Sequence, residues 1–393
     1  MKILAVHNRY LWRGGEDASF EAEVAMLRMH GHLVEEYLED NRRVESLGRL
    51  RTAARTVWSH ETYRRVRDIL RDGHHDLVYA QNTFPLVSPS LYYAARVAGV
   101  PVIQTLRNYR LMCLNGLLFR DGKICEECVG KAVPWPGIMH GCYRDSRAAS
   151  AAVAAMLVTH RLLGTFRERV GAYVALTEFC RDKFIEGGLP AELISIKPNF
   201  VDPDPGASAD PGQYALYVGR LSREKGLDTL LAAWARLGPG HPLKIVGDGP
   251  LAEEVARAAA GSPDVECLGP RTSAEVRELL QGAKFLVFPS RVFENFPRII
   301  VEAFATGVPV IASRHGSMSL IVEDGATGLH FVPGDAADLG AKVAWAWAHA
   351  VEIDAMRHRA REEYLMHYTA DASHRILDRI ISSMATRSPS PVS

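Results

Sequence analysis

Ala215-Leu216-Tyr217-Val218, running into Gly219-Arg220-Leu221-Ser222-Arg223-Glu224-Lys225-Gly226, is the stretch from which the fold can be read. A short apolar run stops at a glycine, opens into a loop carrying cations, and gives way to a helical pattern. Such a buried strand, strand-end loop and helix form one repeat of a parallel α/β sheet. Ligands of these sheets collect beyond the carboxyl ends of the strands. Arg220 and Lys225 thus stand where two cations are costly to bury unless an anion neutralises them. Taken alone, the pair also reads as a surface salt-bridge loop.

The same alternation runs both ways from this loop. Downstream, strands are expected at residues 243 to 246, 265 to 268, 285 to 288 and 309 to 312, each separated by a helical pattern. Upstream, strands are expected at 3 to 6, 77 to 80, 102 to 106, 173 to 176 and 194 to 197. The helical patterns between them end at Gly31, Gly99 and Gly187-Gly188. The stretch 199–212 is rich in Pro, Asp, Gly and Ala and reads as an extended linker. The expected organisation is α/β throughout. A doubly wound, Rossmann-like domain over 1–198 is followed by the linker and a second such domain over 213–365. A helix over 366–386 is expected to return to the first domain, ahead of a tail at 387–393.

Composition agrees with this division. A length of 393 residues favours two or three domains, each able to bury its own core, and excludes a small stapled scaffold. Hydrophobic residues at 47% and charged residues at 23% exclude a disordered chain. The balance of 46 basic and 46 acidic side chains argues against a nucleic-acid partner. Met1 leads straight into Lys2-Ile3-Leu4-Ala5-Val6, too short for the apolar region of a signal peptide. The longest small-apolar stretch, 148 to 158, is well short of the ~20 residues that span a bilayer. The expected location is a reducing cytoplasm, where cysteines stay thiols or bind metal.

Other strand-end clusters add to the first. Gly14-Gly15, between the first strand and first helix, lets backbone N–H groups approach an anion, although taken alone the pair reads more readily as a tight turn. Gly247-Asp248-Gly249-Pro250 is a further strand-end turn. In Phe293-Glu294-Asn295-Phe296-Pro297, the proline suits the first position of a helix that Gly307 would stop. Glu302 then lies within that helix and Glu294 in the loop before it. At about 1.5 Å rise per residue, the two acids are too far apart for a simple acid/base pair. They can instead hold two polyhydroxyl groups of one elongated ligand.

Gly-Arg-Leu-x-x-Glu-Lys-Gly (219–226), Phe-Pro-Ser (288–290), Glu-x7-Glu (294–302) and Ala-Thr-Gly-Val-Pro-Val-Ile-Ala (305–312) together resemble retaining glycosyltransferase family 4. The Gly14-Gly15 loop and Thr105-Leu106-Arg107-Asn108-Tyr109-Arg110 resemble a branch of it. The resemblance implies the GT-B fold, two Rossmann-like domains facing across a cleft. It also implies transfer of a hexose from a UDP- or GDP-linked sugar to a glycan or lipid-linked acceptor hydroxyl. Arg220 and Lys225 would grip the diphosphate, Glu294 the donor sugar and Glu302 the ribose. Gly14, Gly15, Arg107, Gly247, Asn295 and Phe296 complete the implied donor site. No cofactor is required for catalysis, because cations and helix N-termini offset the charge of the leaving group.

Three positions depart from the family pattern. Arg107 stands where His is frequent and cannot shuttle a proton, so it is read as a sugar or phosphate contact. Pro297 stands where Gly is common and lacks an N–H. The loop 316–320 has no acidic residue, the next being Glu323. A catalytically idle nucleotide-sugar sensor or partner subunit and a GT-B sugar-nucleotide epimerase are the alternative functions.

Residues 111–146 form an insertion with Cys113, Cys125, Cys128 and Cys142 in a C-x11-C-x2-C-x13-C pattern. The readings are a structural zinc site, unbound buried thiols or a redox role. Cys180 and Cys267 read as packing residues. Arg144, Arg147, Arg161, Arg167 and Arg169 near Leu162 and Leu163 suggest peripheral contact with an anionic membrane face, or a solvated helix.

Overall fold

The structure is a computed structural model that describes residues 1–11, 14–209 and 212–387. It divides into two compact units. The first comprises Met1–Leu118, Cys125–Pro198 and the described residues from Ser373 onward; the second comprises Phe119–Ile124 and Asn199–Ala372. Most of the tail expected at 387–393, from residue 388, lies outside the described residues.

In chain order the strands are β1 (Lys2–Arg9), β2 (Leu33–Asp40), β3 (Leu77–Ala80), β4 (Val102–Thr105), β5 (Phe119–Arg120), β6 (Lys123–Ile124), β7 (Ala172–Ala175) and β8 (Ile194–Ile196). They continue with β9 (Tyr214–Val218), β10 (Leu243–Val246), β11 (Val265–Gly269), β12 (Ala283–Phe288), β13 (Val310–Ser313) and β14 (Gly328–Phe331).

The first unit has a parallel sheet ordered β2-β1-β3-β4-β7-β8. The second has a parallel sheet ordered β11-β10-β9-β12-β13-β14. Central strands are apolar on both faces because helices cover both: Ile3, Leu4, Ala5 and Val6 are fully buried, as are Phe285, Leu286 and Val287. In each sheet the order reverses once, between β1 and β3 in the first and between β9 and β12 in the second. Ligand crevices of doubly wound sheets form at such reversals.

Four strands have no counterpart in the sequence reading: the short hairpin pair β5 and β6, and two strands of the parallel sheets, β2 and β14. β2 is an edge strand of sequence LVEEYLED, whose four acids, Glu35 and Glu36 exposed and Glu39 buried, hide its pattern. β14 is only Gly-Leu-His-Phe, and Gly328 crosses so close to β13 that a Cβ would meet the Val310 carbonyl oxygen at 2.0 Å. Pro297 precedes its helix, Arg298–Ala305, rather than occupying the first turn. Nor is the expected linker a solvated tether: Phe200 and Val201 are buried, Val201 N–H donates to the Tyr368 carbonyl, and Arg361 forks onto Asp204.

Buried histidines make the fold sensitive to acid. His160 donates from Nε2 to the Val57 carbonyl at 2.9 Å and accepts the Thr165 hydroxyl at Nδ1, at 3.0 Å. Burial holds its pKa below the ordinary 6.5, with the Val57 hydrogen bond acting the other way. Burial depresses His75, His315 and His330 as well. The unfolded chain therefore binds protons that the fold refuses. This contribution to stability is complete above the unfolded value and is lost as pH falls toward the folded values. A Tm that drops between about pH 7 and about pH 5, less steeply in His160→Gln, is the expected result of a thermal melt series.

Candidate functional site

The β9 and β12 loops meet at the reversal of the second sheet. Gly226 ends the β9 loop with φ +75°, and a Cβ there would lie 1.9 Å from the Pro289 carbonyl oxygen. This contact requires glycine, and it seats the loop directly against Pro289-Ser290. Lys225 Nζ then donates to Glu294 Oε1 at 2.5 Å, and the Ser290 hydroxyl donates to the same oxygen at 2.6 Å. The Lys225 and Glu294 side chains are 27% and 15% exposed, so the pair is held in place yet open to a ligand. The exposed Arg220 side chain makes no ion pair among the described residues, while its carbonyl accepts the Tyr217 hydroxyl at 2.9 Å. One cation is thus preset by an acid and a serine, and a second stands at the strand end.

His315, in the loop after β13, belongs to this cluster and was not singled out in the sequence. Its Nε2 lies 2.8 Å from the Ser290 carbonyl, which fixes the proton on that nitrogen. Burial lowers its pKa, against the opposing pull of that carbonyl and of Glu294, so the ring is a neutral donor. The available signal was a histidine three residues past a buried strand run, a strand-end position like those that were weighed.

The remaining residues of the second unit that were expected at a donor site divide. Gly247, at φ +144°, lets the β9 and β10 loops touch backbone to backbone: a Cβ would be 1.9 Å from the Gly219 carbonyl oxygen. The Leu221 N–H donates to the Asp248 carbonyl beside it, at 2.9 Å. Asn295 is buried directly beside Glu294. The Phe296 side chain is 7% exposed and packs on Tyr368 at 5.6 Å, and its carbonyl accepts from Asn199, so this side chain belongs to the core. Glu302 accepts from Arg298 Nε at 2.8 Å, one helical turn back, and does not join Lys225. The hairpin β5–β6, part of the expected insertion, groups with this unit, and Arg291 bonds both Asp228 and the Gly122 carbonyl.

In the first unit, Gly14 has a partner other than a ligand. Its N–H donates to Asp17 at 3.0 Å, and Glu16 and Asp17 put two carboxylates in the first helical turn beside Gly15. Negative charge there opposes a phosphate near the Gly14 N–H. Asp17 is itself held by His7 at 2.9 Å, and burial is outweighed by these hydrogen bonds, which lower its pKa.

Arg107 also turns inward. Its Nε donates to Gln81 Oε1 at 2.6 Å and its guanidinium reaches Glu23 at 3.5 Å. Glu23, 1% exposed, further accepts from Lys197 Nζ at 2.6 Å and from the Tyr79 hydroxyl at 3.1 Å. Neither Glu23 nor Lys197 stood out in the sequence. Above this network a pocket opens at the ends of β3 and β4, lined by Gln81, Asn82, Gln104, Arg107, Asn108 and Arg110 among others. Because Arg107 fixes the Gln81 oxygen, the buried Gln81 amide nitrogen is left with no hydrogen-bond partner among the described residues. It is a ready donor to a ligand oxygen.

The four clustered cysteines gather around Cys128, whose pKa is pushed up to about 11 by burial and by its neighbours Cys113, Cys142 and Cys125. Cys113 donates to Asn115 at 3.0 Å. Among the described residues, no three of these sulfurs come within 4.8 Å of one another, so they are not arranged as a closed tetrahedral cage. Cys267 is half-buried, and Cys180 is buried, accepting or donating at the Tyr109 hydroxyl.

Of the five arginines expected on a basic face, Arg161 and Arg169 are partly buried. Arg161 donates to the Lys131, Ala132 and Leu111 carbonyls, Arg147 to the Met139 carbonyl, and Arg169 stacks over Tyr93. Arg144, Arg147 and Arg167 remain exposed, and beside them the apolar Leu162, Leu163, Trp135 and Met139 also face outward. No helix of the described residues is long and apolar enough to cross a membrane.

Comparison with known proteins follows the same division. The sequence model described as glycosyl transferases group 1 matches residues 202–363. A phosphatidylinositol N-acetylglucosaminyltransferase subunit of Schizosaccharomyces pombe is 24% identical over 61% of this chain and 56% of its own length. Glycogen synthase of Mycobacterium tuberculosis is 36% identical over 33% of this chain and 32% of its own. The match thus spans little more than half of such relatives at most. Among solved structures, Anabaena HepE in complex with UDP has a TM-score of 0.69 at 19% identity, covering 98% of this chain and 100% of that one. Sucrose-phosphate synthase from Thermosynechococcus elongatus has a TM-score of 0.68 at 15% identity, with 98% and 100% covered.

Proposed function

On the premise that residues 202–363 are a glycosyl transferases group 1 domain within a GT-B fold, we propose that this protein is a glycosyltransferase using a nucleotide diphosphate sugar. The observation that carries the reading is the cluster of Lys225, Glu294 and Ser290 at the sheet reversal, with Arg220 exposed beside it.

When the bond from the anomeric carbon to the donor phosphate breaks, charge accumulates on the departing diphosphate. Lys225 and Arg220 stabilise that charge, and it grows most in the transition state, so their effect falls on the rate rather than on binding alone. Glu294 and Ser290 hold the ammonium in position before the donor arrives, and the neutral His315 braces the Ser290 backbone. Glu302 takes the ribose hydroxyls, sharing its carboxylate with Arg298. As the new bond forms from acceptor oxygen to anomeric carbon, the acceptor proton passes to the leaving phosphate oxygen. Attack comes on the face the leaving group vacates, which retains the anomeric configuration, and no divalent metal takes part.

The acceptor is a hydroxyl of a glycan or lipid-linked sugar, with Gln81 as a donor to it in the pocket of the first unit. Surface-polysaccharide or glycoconjugate assembly suits such an acceptor. Peripheral membrane contact rests on the exposed Trp135, Met139, Leu162 and Leu163 together with the exposed Arg144, Arg147 and Arg167.

A thermal-shift panel of UDP- and GDP-sugars tests the donor. The matching donor at 100 times its Kd raises stability by about 2.7 kcal/mol. Slow hydrolysis of that donor without acceptor separates a transferase from an idle sensor. A panel with no shift would remove the proposal.

A further inference from the structure

At the amino ends of β1 and β2, the far end of the first sheet from Gln81 and Arg107, three histidines and an aspartate converge. His30 and His32 flank Gly31 in the turn between the helix Gly15–Met29 and β2. His374 and Asp378 sit one turn apart on the helix Ala370–Arg387, which places them on one face. Nothing in the glycosyl-transfer reading uses these residues.

Their geometry is specific. His32 Nε2 and His374 Nε2 stand 3.1 Å apart. Asp378 Oδ2 lies 3.2 Å from His374 Nδ1, and the His30 ring stacks on His374 at 3.7 Å between centroids. The ligand atoms offered by His32, His374 and Asp378 all fall within 4.8 Å of one another. Two imidazole nitrogens on one tetrahedral zinc at 2.0–2.1 Å are separated by roughly 3.3 Å, close to the separation seen. Asp378 takes the proton of His374 Nδ1 as its hydrogen-bond partner, which leaves the Nε2 lone pair facing His32. That is the carboxylate–histidine arrangement which orients metal-binding imidazoles.

His32 Nδ1 is buried and has no hydrogen-bond partner among the described residues. A divalent ion between the two facing Nε2 atoms would bond both lone pairs at once.

We propose that His32 and His374 bind one divalent transition-metal ion, zinc foremost, with Asp378 orienting His374, so that the metal staples the C-terminal helix to the turn before β2. Imidazole and carboxylate groups together suit such ions rather than calcium or magnesium.

The test uses the full chain, stripped by chelator and titrated with Zn(II) and separately with Co(II). The expected result is a saturating rise in Tm at one equivalent and a Co(II) spectrum without a thiolate charge-transfer band, which separates this site from the cysteines. Asp378→Asn is expected to weaken binding about 10–100-fold, and His374→Ala to abolish it. His358→Ala, at an exposed His358–Asp354 pair on another helix, leaves it unchanged. Should His374→Ala not fold, His32→Gln reads the same loss. No stabilisation by metal, an equal rise in Asp378→Asn, or a thiolate band accounting for all bound cobalt would overturn the proposal.

Discussion

Lys225→Ala is expected to lower kcat/KM for the donor about 100- to 1,000-fold, the usual effect of removing one preorganised donor from a developing negative charge. The structure supplies the reason. Gly226 presses the loop onto Pro289, and Glu294 and Ser290 fix the ammonium at 2.5 Å from a shared carboxylate oxygen, so the cation needs no reorganisation during reaction. Truncation also leaves Glu294 without its cation, placing an unbalanced carboxylate beside the incoming phosphates. Lys225→Arg should restore only part of the rate, because a planar guanidinium does not occupy the position of a point charge. Steady-state kinetics on the donor selected by the thermal-shift panel, with far-ultraviolet dichroism to show an unchanged fold, is the check. Activity within threefold of wild type, roughly 0.7 kcal/mol, would remove Lys225 from the reaction.

The largest expected effect on stability lies elsewhere, at Glu23. Glu23→Ala is expected to cost about 3–5 kcal/mol, because removing one partner of a buried ion pair leaves the other charge uncompensated. Here the burden is heavier than usual. Lys197 is fully buried and Arg107 is 8% exposed, and both lean on the same carboxylate. Burial already lowers the pKa of Lys197, Glu23 pulls it back up, and Arg107 lowers it. Without Glu23, Lys197 is expected to fold neutral or not at all. Ser373 also accepts from Lys197, at 2.9 Å, so the start of the C-terminal helix should loosen too. Urea denaturation of Glu23→Ala and of the Glu23→Leu/Lys197→Met double variant measures this. The double variant should lose less than the single, since paired apolar replacement leaves fewer stranded charges. Equal losses would show that the side-chain volumes, not the charges, hold the site together.

What was legible in the sequence follows from how local each feature is. The β9 strand and its loop are contiguous, so the apolar run, the glycine stop and the two cations were visible together, and the parallel sheets followed from repetition of that unit. Lys225 and Glu294 could be picked out singly because each lies next to a strand end, although only the fold shows them bonded across 69 residues. Features with distant partners could not be read. The inward turn of Arg107 depends on Glu23, 84 residues away, and the histidine pair joins residues 342 apart. The burial of the Phe296 side chain could not be read either, because an aromatic near an acid has the same one-dimensional signature whether it faces a ligand or the core. That the Gly14 N–H is taken by a carboxylate three residues later, at Asp17, was likewise not visible in the glycine pair itself.

The central claim is that the loop cations of the second unit hold the diphosphate of a nucleotide sugar. Equilibrium binding of the selected nucleoside diphosphate and its parent nucleoside, to wild type and to Lys225→Ala, tests it most directly. The wild type should bind the diphosphate at least about tenfold more tightly, or about 1.4 kcal/mol, and Lys225→Ala should close most of that gap while leaving nucleoside affinity unchanged. Equal affinity for nucleoside and diphosphate in the wild type, or an undiminished gap in Lys225→Ala, would contradict it.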